Sequence, residues 1–175
     1  VVGGSHEDVN ALLQREDDID LVIPRGGEGL ISAVSEQSKI PVIKHFAGIC
    51  HVYLDEAADV EAGLRIALDS KCLMPEVCNA METLLVHETL QGELPRIVEA
   101  FRDRGVTVRG CERTREAVPD VEAATEEDWS TEYLDTIVSV RVVDDVDAAV
   151  EHINRYGSGH TDSIVTDSRS NSRTF

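Results

Sequence analysis

The run Met74-Pro75-Glu76-Val77-Cys78-Asn79-Ala80-Met81-Glu82-Thr83-Leu84-Leu85-Val86-His87 sets a thiol between a helix-stopping proline and a short apolar stretch. Thr83 to Val86 reads as a buried-type strand, and Pro75 closes whatever helix comes before it. Cys78 therefore stands just ahead of a strand, at an edge where a substrate carbonyl can reach it. A thiolate has the chemistry for that task, since it is a strong nucleophile that a modest positive local field stabilises. The competing reading is the common one, in which a free cysteine is a small buried hydrophobe.

Outward from this run the chain alternates between strand and helix patterns. On the N-terminal side, Val9 to Arg15 has helical spacing and Ile19 to Ile23 is a short apolar run ended by Pro24. A glycine cluster follows, then Leu30, Ile31 and Val34 at helical spacing, so the order is strand, glycine turn, helix. Ile40 to Ile43 and Val52 to Leu54 read as further strands, and Asp59 is a candidate N-cap for a helix reaching Leu68. On the C-terminal side, Pro95 to Arg104 forms an amphipathic helix ended by Gly105, and Val106 to Val108 a strand. Glu112 to Asp128 reads as an acidic, linker-like stretch. Ile137 to Val143 alternates as a strand, Asp145 to Tyr156 is a helix capped by Gly157, and Ser163 to Thr166 is the next strand. Such alternation predicts an α/β fold with a mostly parallel sheet.

Composition limits the function classes. The 175 residues, 42% of them hydrophobic, suffice for one ordinary packed domain. Thirty-four acidic against sixteen basic residues give a net charge of −18, which repels nucleic acid and anionic membrane and excludes both as partners. No run approaches the roughly 20 apolar residues of a bilayer span. Cys50, Cys72, Cys78 and Cys111 lack C-x-x-C spacing and match no standard zinc site with His51 or His87, so no metal is expected and a reducing cytoplasm fits best. Val1 in place of methionine, and the bare start of a helix between Thr166 and Phe175, read as a chain cut at both ends.

Several collinear runs carry a resemblance. They are the Cys78 run, Ile23-Pro24-Arg25-Gly26-Gly27-Glu28-Gly29-Leu30, Ile40-Pro41-Val42-Ile43, Gly48-Ile49-Cys50-His51-Val52-Tyr53-Leu54-Asp55, Glu132-Tyr133-Leu134-Asp135 and Tyr156-Gly157-Ser158-Gly159-His160-Thr161-Asp162. In that order they resemble the γ-glutamyl phosphate reductase (glutamate-5-semialdehyde dehydrogenase) family of the aldehyde dehydrogenase superfamily. The resemblance implies an aldehyde dehydrogenase-like α/β fold. Residues 1–45 would be the C-terminal part of the NADP-binding domain, and residues 46–175 most of the catalytic domain, truncated at its C-terminus. It also implies NADPH-dependent reduction of γ-glutamyl 5-phosphate to glutamate 5-semialdehyde in proline biosynthesis. A homo-oligomer at full length, and glutamate 5-kinase as a partner or fused domain, are implied with it.

Residue by residue, the resemblance makes Cys78 the nucleophile that forms a thioester. For Asn79 two readings stand: a backbone N–H beside the oxyanion, or a residue that shapes the turn. Arg25, Gly26, Gly27 and Gly29 become the cofactor cleft, with helix N–H groups facing a phosphate. Glu132 corresponds to a carboxylate that binds the nicotinamide ribose, or else is one more solvated acid. His45 stands where hydrolytic aldehyde dehydrogenases carry a water-activating glutamate, an absence that suits an acyl-phosphate reductase; it and His160 are substrate-side candidates. Asp69-Ser70-Lys71-Cys72-Leu73-Met74 departs from the family in lacking a threonine and an arginine, which would weaken an anion contact. The rival readings are a catalytically inactive nucleotide-binding or scaffold fragment of the same fold, and a cysteine-containing α/β domain with no site.

Overall fold

The computed structural model of the chain describes residues 5–44 and 47–175. Two compact units, Val1–Ala47 and Gly48–Phe175, divide it.

In the first unit, helix α1 (His6–Leu12) begins three residues before the apolar spacing predicts. The cause is a capping box: the Ser5 hydroxyl accepts from the Asp8 N–H while the Asp8 carboxylate reaches back to Ser5, which satisfies N–H groups the first turn leaves open. The expected strands Ile19–Ile23 and Ile40–Ile43 do not form. Only a single parallel bridge joins Val22 to Val42, with the Val22 N–H donating to the Pro41 carbonyl at 2.9 Å. Pro41 and Pro24 bracket that bridge, and a residue without an N–H cannot extend a ladder. Helix α2 (Glu28–Gln37) starts at Gly27, buries Ile31 and Val34, and hands the chain on to the buried Ile40.

The second unit is a six-stranded sheet in which every pairing is parallel. Its strands are β1 (Cys50–Leu54), β2 (Met81–His87), β3 (Thr107–Gly110), β4 (Glu122–Ala123), β5 (Ile137–Val143) and β6 (Asp162–Val165), in spatial order β4-β3-β5-β2-β1-β6. Between them run α3 (Val60–Cys72), α4 (Leu94–Arg102), α5 (Glu112–Ala117) and α6 (Val146–Tyr156), and the short α7 (Asn171–Thr174) follows β6. All seven residues of β2 are buried, as expected of a strand covered on both faces. Alternation along it divides the core. Leu84 and Val86 join Leu64, Ala67, Ile97 and Phe101 on one face, whereas Leu85 joins Tyr53, Val143 and Ala149 on the other. Helix α4 supplies Leu94, Ile97, Val98 and Phe101 at i, i+3, i+4 and i+7, each worth about 1.5–3 kcal/mol when buried.

The acidic stretch 112–128 is not a linker. It folds as α5, β4 and a 3₁₀ turn (Glu127–Ser130), anchored by the Thr114 hydroxyl on the Val140 carbonyl at 3.1 Å and by Val118 and Val121 in the core. Asp128 is buried too. It takes Arg109 at 2.6 Å and the Tyr133 hydroxyl at 2.8 Å, and these bonds together with those from Thr125 outweigh its desolvation and lower its pKa to about 2. The charges that suggested solvent are on the outer face, and a few residues among them make the contacts.

His152 of α6 is 4% exposed, with its ring 5.4 Å from that of His51, 5.6 Å from Trp129 and 4.8 Å from Tyr156. Burial first, and then the charges of His51, Arg141 and Arg155, depress its pKa from 6.5 to about 3. The folded protein therefore leaves His152 neutral where the unfolded chain takes up a proton. Stability should be fully present above pH 6.5 and fall as pH drops toward 3, by up to about 5 kcal/mol in all. Denaturant unfolding between pH 7 and 4 checks this. In His152→Phe the pH slope should be shallower by up to one proton, and an unchanged slope would remove His152 as its source.

Candidate active site

Because the strands run parallel, the segments entering β1, β2, β5 and β6 all arrive at one edge of the sheet, the amino edge. Open α/β sheets commonly bind ligands at the opposite, carboxyl edge. Here the reactive groups gather at the amino edge. Cys78 lies in the turn after α3, where the Val77 N–H donates to the Met74 carbonyl and the Ala80 N–H to the Val77 carbonyl at 3.0 Å. Cys78 and Asn79 are exposed at its tip. This is a turn entering the sheet's interior strand rather than an edge strand.

Three neighbours fix that turn. Gly48 passes so close that a Cβ there would stand 1.7 Å from the Cys78 carbonyl oxygen, which only glycine avoids. Glu132, half-buried ahead of β5, accepts the Gly48 N–H on Oε1 at 2.7 Å. Cys50, 2% exposed at the start of β1, donates its thiol to the Cys78 carbonyl at 3.3 Å, and its sulfur lies 3.8 Å from His160 Nδ1. His160 is tied to the Thr161 hydroxyl at 2.8 Å, and Ser158 in the same loop accepts the Ile49 N–H at 3.0 Å. The structure thus brings Cys78, Glu132 and His160 together, along with Gly48 and Cys50, which the sequence did not single out as site residues.

The cysteines are not equivalent. Burial pushes Cys50 up to about 11 and also raises Cys72, so neither forms a thiolate readily. Cys111 spends its sulfur on Thr114 and on the Val142 N–H. Cys78 is the exposed one. Just upstream, Leu73 and Met74 are 81% and 54% exposed, so the segment that departs from the family pattern presents apolar side chains to solvent.

The glycine corner belongs to the first unit. Gly27 caps α2 without a side chain, and Arg25, Gly26, Gly27 and Gly29 are exposed. A Cβ on Gly26 would meet only the movable Leu30 Cδ2, at 2.6 Å, and it is the backbone φ of +156° that favours glycine there. On Gly27 or Gly29 a Cβ would meet nothing within 4 Å among the described residues. His45 lies outside the described residues.

No protein-family model matches the chain. It is 50% identical over 172 residues to a γ-glutamyl phosphate reductase of Nautilia profundicola, covering 98% of this chain and 42% of that one. The crystal structure of the γ-glutamyl phosphate reductase of Thermotoga maritima superposes with a TM-score of 0.93 at 48% identity, over 98% of this chain and 42% of that one. By sequence and fold, the chain is similar to one segment of the γ-glutamyl phosphate reductases. It spans about two fifths of the length of these relatives. A propionaldehyde dehydrogenase of Clostridium phytofermentans, 16% identical with a TM-score of 0.72 over 97% of this chain and 47% of its own, shares the fold. The α/β architecture of this chain is accordingly aldehyde dehydrogenase-like. Among the described residues no helix is long and apolar enough to cross a membrane.

Proposed function

We propose that these 175 residues carry the thiol half of an NADP(H)-dependent γ-glutamyl phosphate reductase. The observation that carries this reading is an exposed Cys78 whose own carbonyl is held by Gly48 and Cys50 beside Glu132, in a chain half identical to such reductases. Residues 1–45 are read as the end of the cofactor-binding domain and residues 46–175 as the catalytic domain.

Cys78 attacks the γ-carbonyl of the acyl phosphate; a C–S bond forms, the C–O bond to phosphate breaks, and phosphate leaves. Asn79, next along the turn, offers its backbone N–H to the oxyanion. A nicotinamide held there would supply the hydride that the thioester carbon needs. The C–S bond then breaks, the aldehyde departs, and Cys78 recovers its proton. The residues present suit such a cofactor. A helix opening on exposed glycines lets an anion approach its N–H groups, and Arg25 adds a cation there. Glu132 is acceptor-only, as a ribose diol requires, and already stands at the Cys78 turn. His45 and His160 are assigned to the substrate side. The same reading places the enzyme in proline biosynthesis, in the cytoplasm, as a homo-oligomer fed by glutamate 5-kinase.

The test is the reverse reaction in the full-length protein carrying this segment. Glutamate 5-semialdehyde should reduce NADP⁺ only when phosphate is supplied, because phosphate releases the acyl group from Cys78. Oxidation that proceeds equally without phosphate would mean hydrolysis of the thioester and would sink the reading.

A further inference from the structure

Beneath the Cys78 turn lies an ion pair sealed from solvent. Lys71 is 0% exposed, Glu82 is 1% exposed, and Lys71 Nζ donates to Glu82 Oε2 at 2.7 Å. A buried pair of this kind gives little net stability, because desolvation cancels most of the attraction and an apolar pair serves a core as well. Its position suggests another use. Lys71 sits in the last turn of α3, which leads into the Cys78 turn, and Glu82 is the second residue of β2, which leads out of it. The pair therefore pins the two stems of the loop that carries the thiol.

Glu82 also bonds the backbone N–H groups of Tyr133 and Leu134. Its Oε1 accepts the Leu134 N–H at 3.3 Å, and Leu134, at φ +51°, is the one non-glycine with positive φ among the described residues. A side chain with a Cβ and no polar group to bond its own backbone gains nothing from that conformation, so something outside Leu134 must hold it. Leu134 lies two residues after Glu132, whose carboxylate holds Gly48 against the Cys78 carbonyl. A single carboxylate thus addresses both the thiol loop and the Glu132 loop.

We infer that Glu82 is a positioning residue: the Lys71 charge keeps its carboxylate in the core at the stems of the Cys78 turn, and the oxygen that accepts the Leu134 N–H sets Glu132 against that turn. This rests on the reductase reading for its activity readout, but the placement itself can be measured without turnover. The carboxylate touches neither substrate nor cofactor, and its effect falls on the spacing between the thiol and Glu132. Errors of about 1 Å in such spacings cost up to about 100-fold in rate.

Two double variants of the full-length protein separate the acceptor from the charge. Lys71→Met with Glu82→Gln removes both charges and keeps an oxygen for Leu134; Lys71→Met with Glu82→Leu removes the acceptor as well. The first should keep kcat within about threefold. The second should lose at least about tenfold in kcat and show a raised KM for NADP⁺, since Glu132 is displaced, with an altered rate of Cys78 alkylation by iodoacetamide. Equal kcat in both variants, high or low, overturns the inference. Wild-type protein supplies the independent check by hydrogen exchange, in which the Leu134 amide should be protected; exchange at the unprotected rate overturns it too. If wild type itself shows no phosphate-dependent turnover, the reductase reading fails, while the alkylation and exchange measurements still decide the role of Glu82.

Discussion

Cys78→Ala in the full-length protein is expected to abolish phosphate-dependent turnover, with a loss in kcat of at least about 10⁴-fold, the order seen when a covalent nucleophile is removed. The geometry leaves no understudy. Cys50 donates to the Cys78 carbonyl, yet it is 2% exposed and raised to about 11 by burial. Iodoacetamide should accordingly label Cys78 first, with inactivation following that single modification as read by mass spectrometry. Protein fully alkylated at Cys78 that still turns over would refute the assignment.

The second large effect is expected from Gly48→Ala. An added methyl would stand 1.7 Å from the Cys78 carbonyl oxygen, 2.6 Å from its carbonyl carbon and 2.9 Å from Glu132 Oε1. Backbone cannot yield as a flexible side chain does, so either the Cys78 turn or the strand entry at Gly48 must move. Overpacking of this kind costs about 1–3 kcal/mol or more, and the displaced thiol should cost about 100-fold in kcat. Thermal melting reads the first and steady-state kinetics the second. A variant with wild-type kcat would mean that the contact between Gly48 and the Cys78 turn does not set the reactive geometry.

Much of the sheet was legible because its strands carry their own signals. Ile137 to Val143 forms the strand that its alternation predicts, and Ile97, Val98 and Phe101 announce α4, although its start at Leu94 lies one residue before the Pro95 expected from sequence. Pro24 and Pro41 were the informative residues where two strands were expected and one bridge formed. The acidic segment misled for a different reason, since charge density reports the solvent side of an element and is silent about Thr114 or Asp128 on the other side. Cys78 was visible from its neighbours in sequence. Gly48, Cys50 and Glu82 were not, because what matters about each is a partner dozens of residues away: the Glu132 carboxylate, the Cys78 carbonyl and the Leu134 amide.

The pairing of β1 with β6 has a consequence for how the protein is made. His51 meets Asp162, and Asp55 meets Thr166, each pair 111 positions apart in the chain. On the ribosome, β1 emerges early and keeps one hydrogen-bonding margin bare until β6 follows. Contacts this distant in sequence close slowly and leave a half-finished sheet open to wrong partners. The loop bearing Ser158 and His160 arrives in the same late instalment, so a nascent chain already displays the exposed Cys78 thiol before the surroundings that discipline it exist.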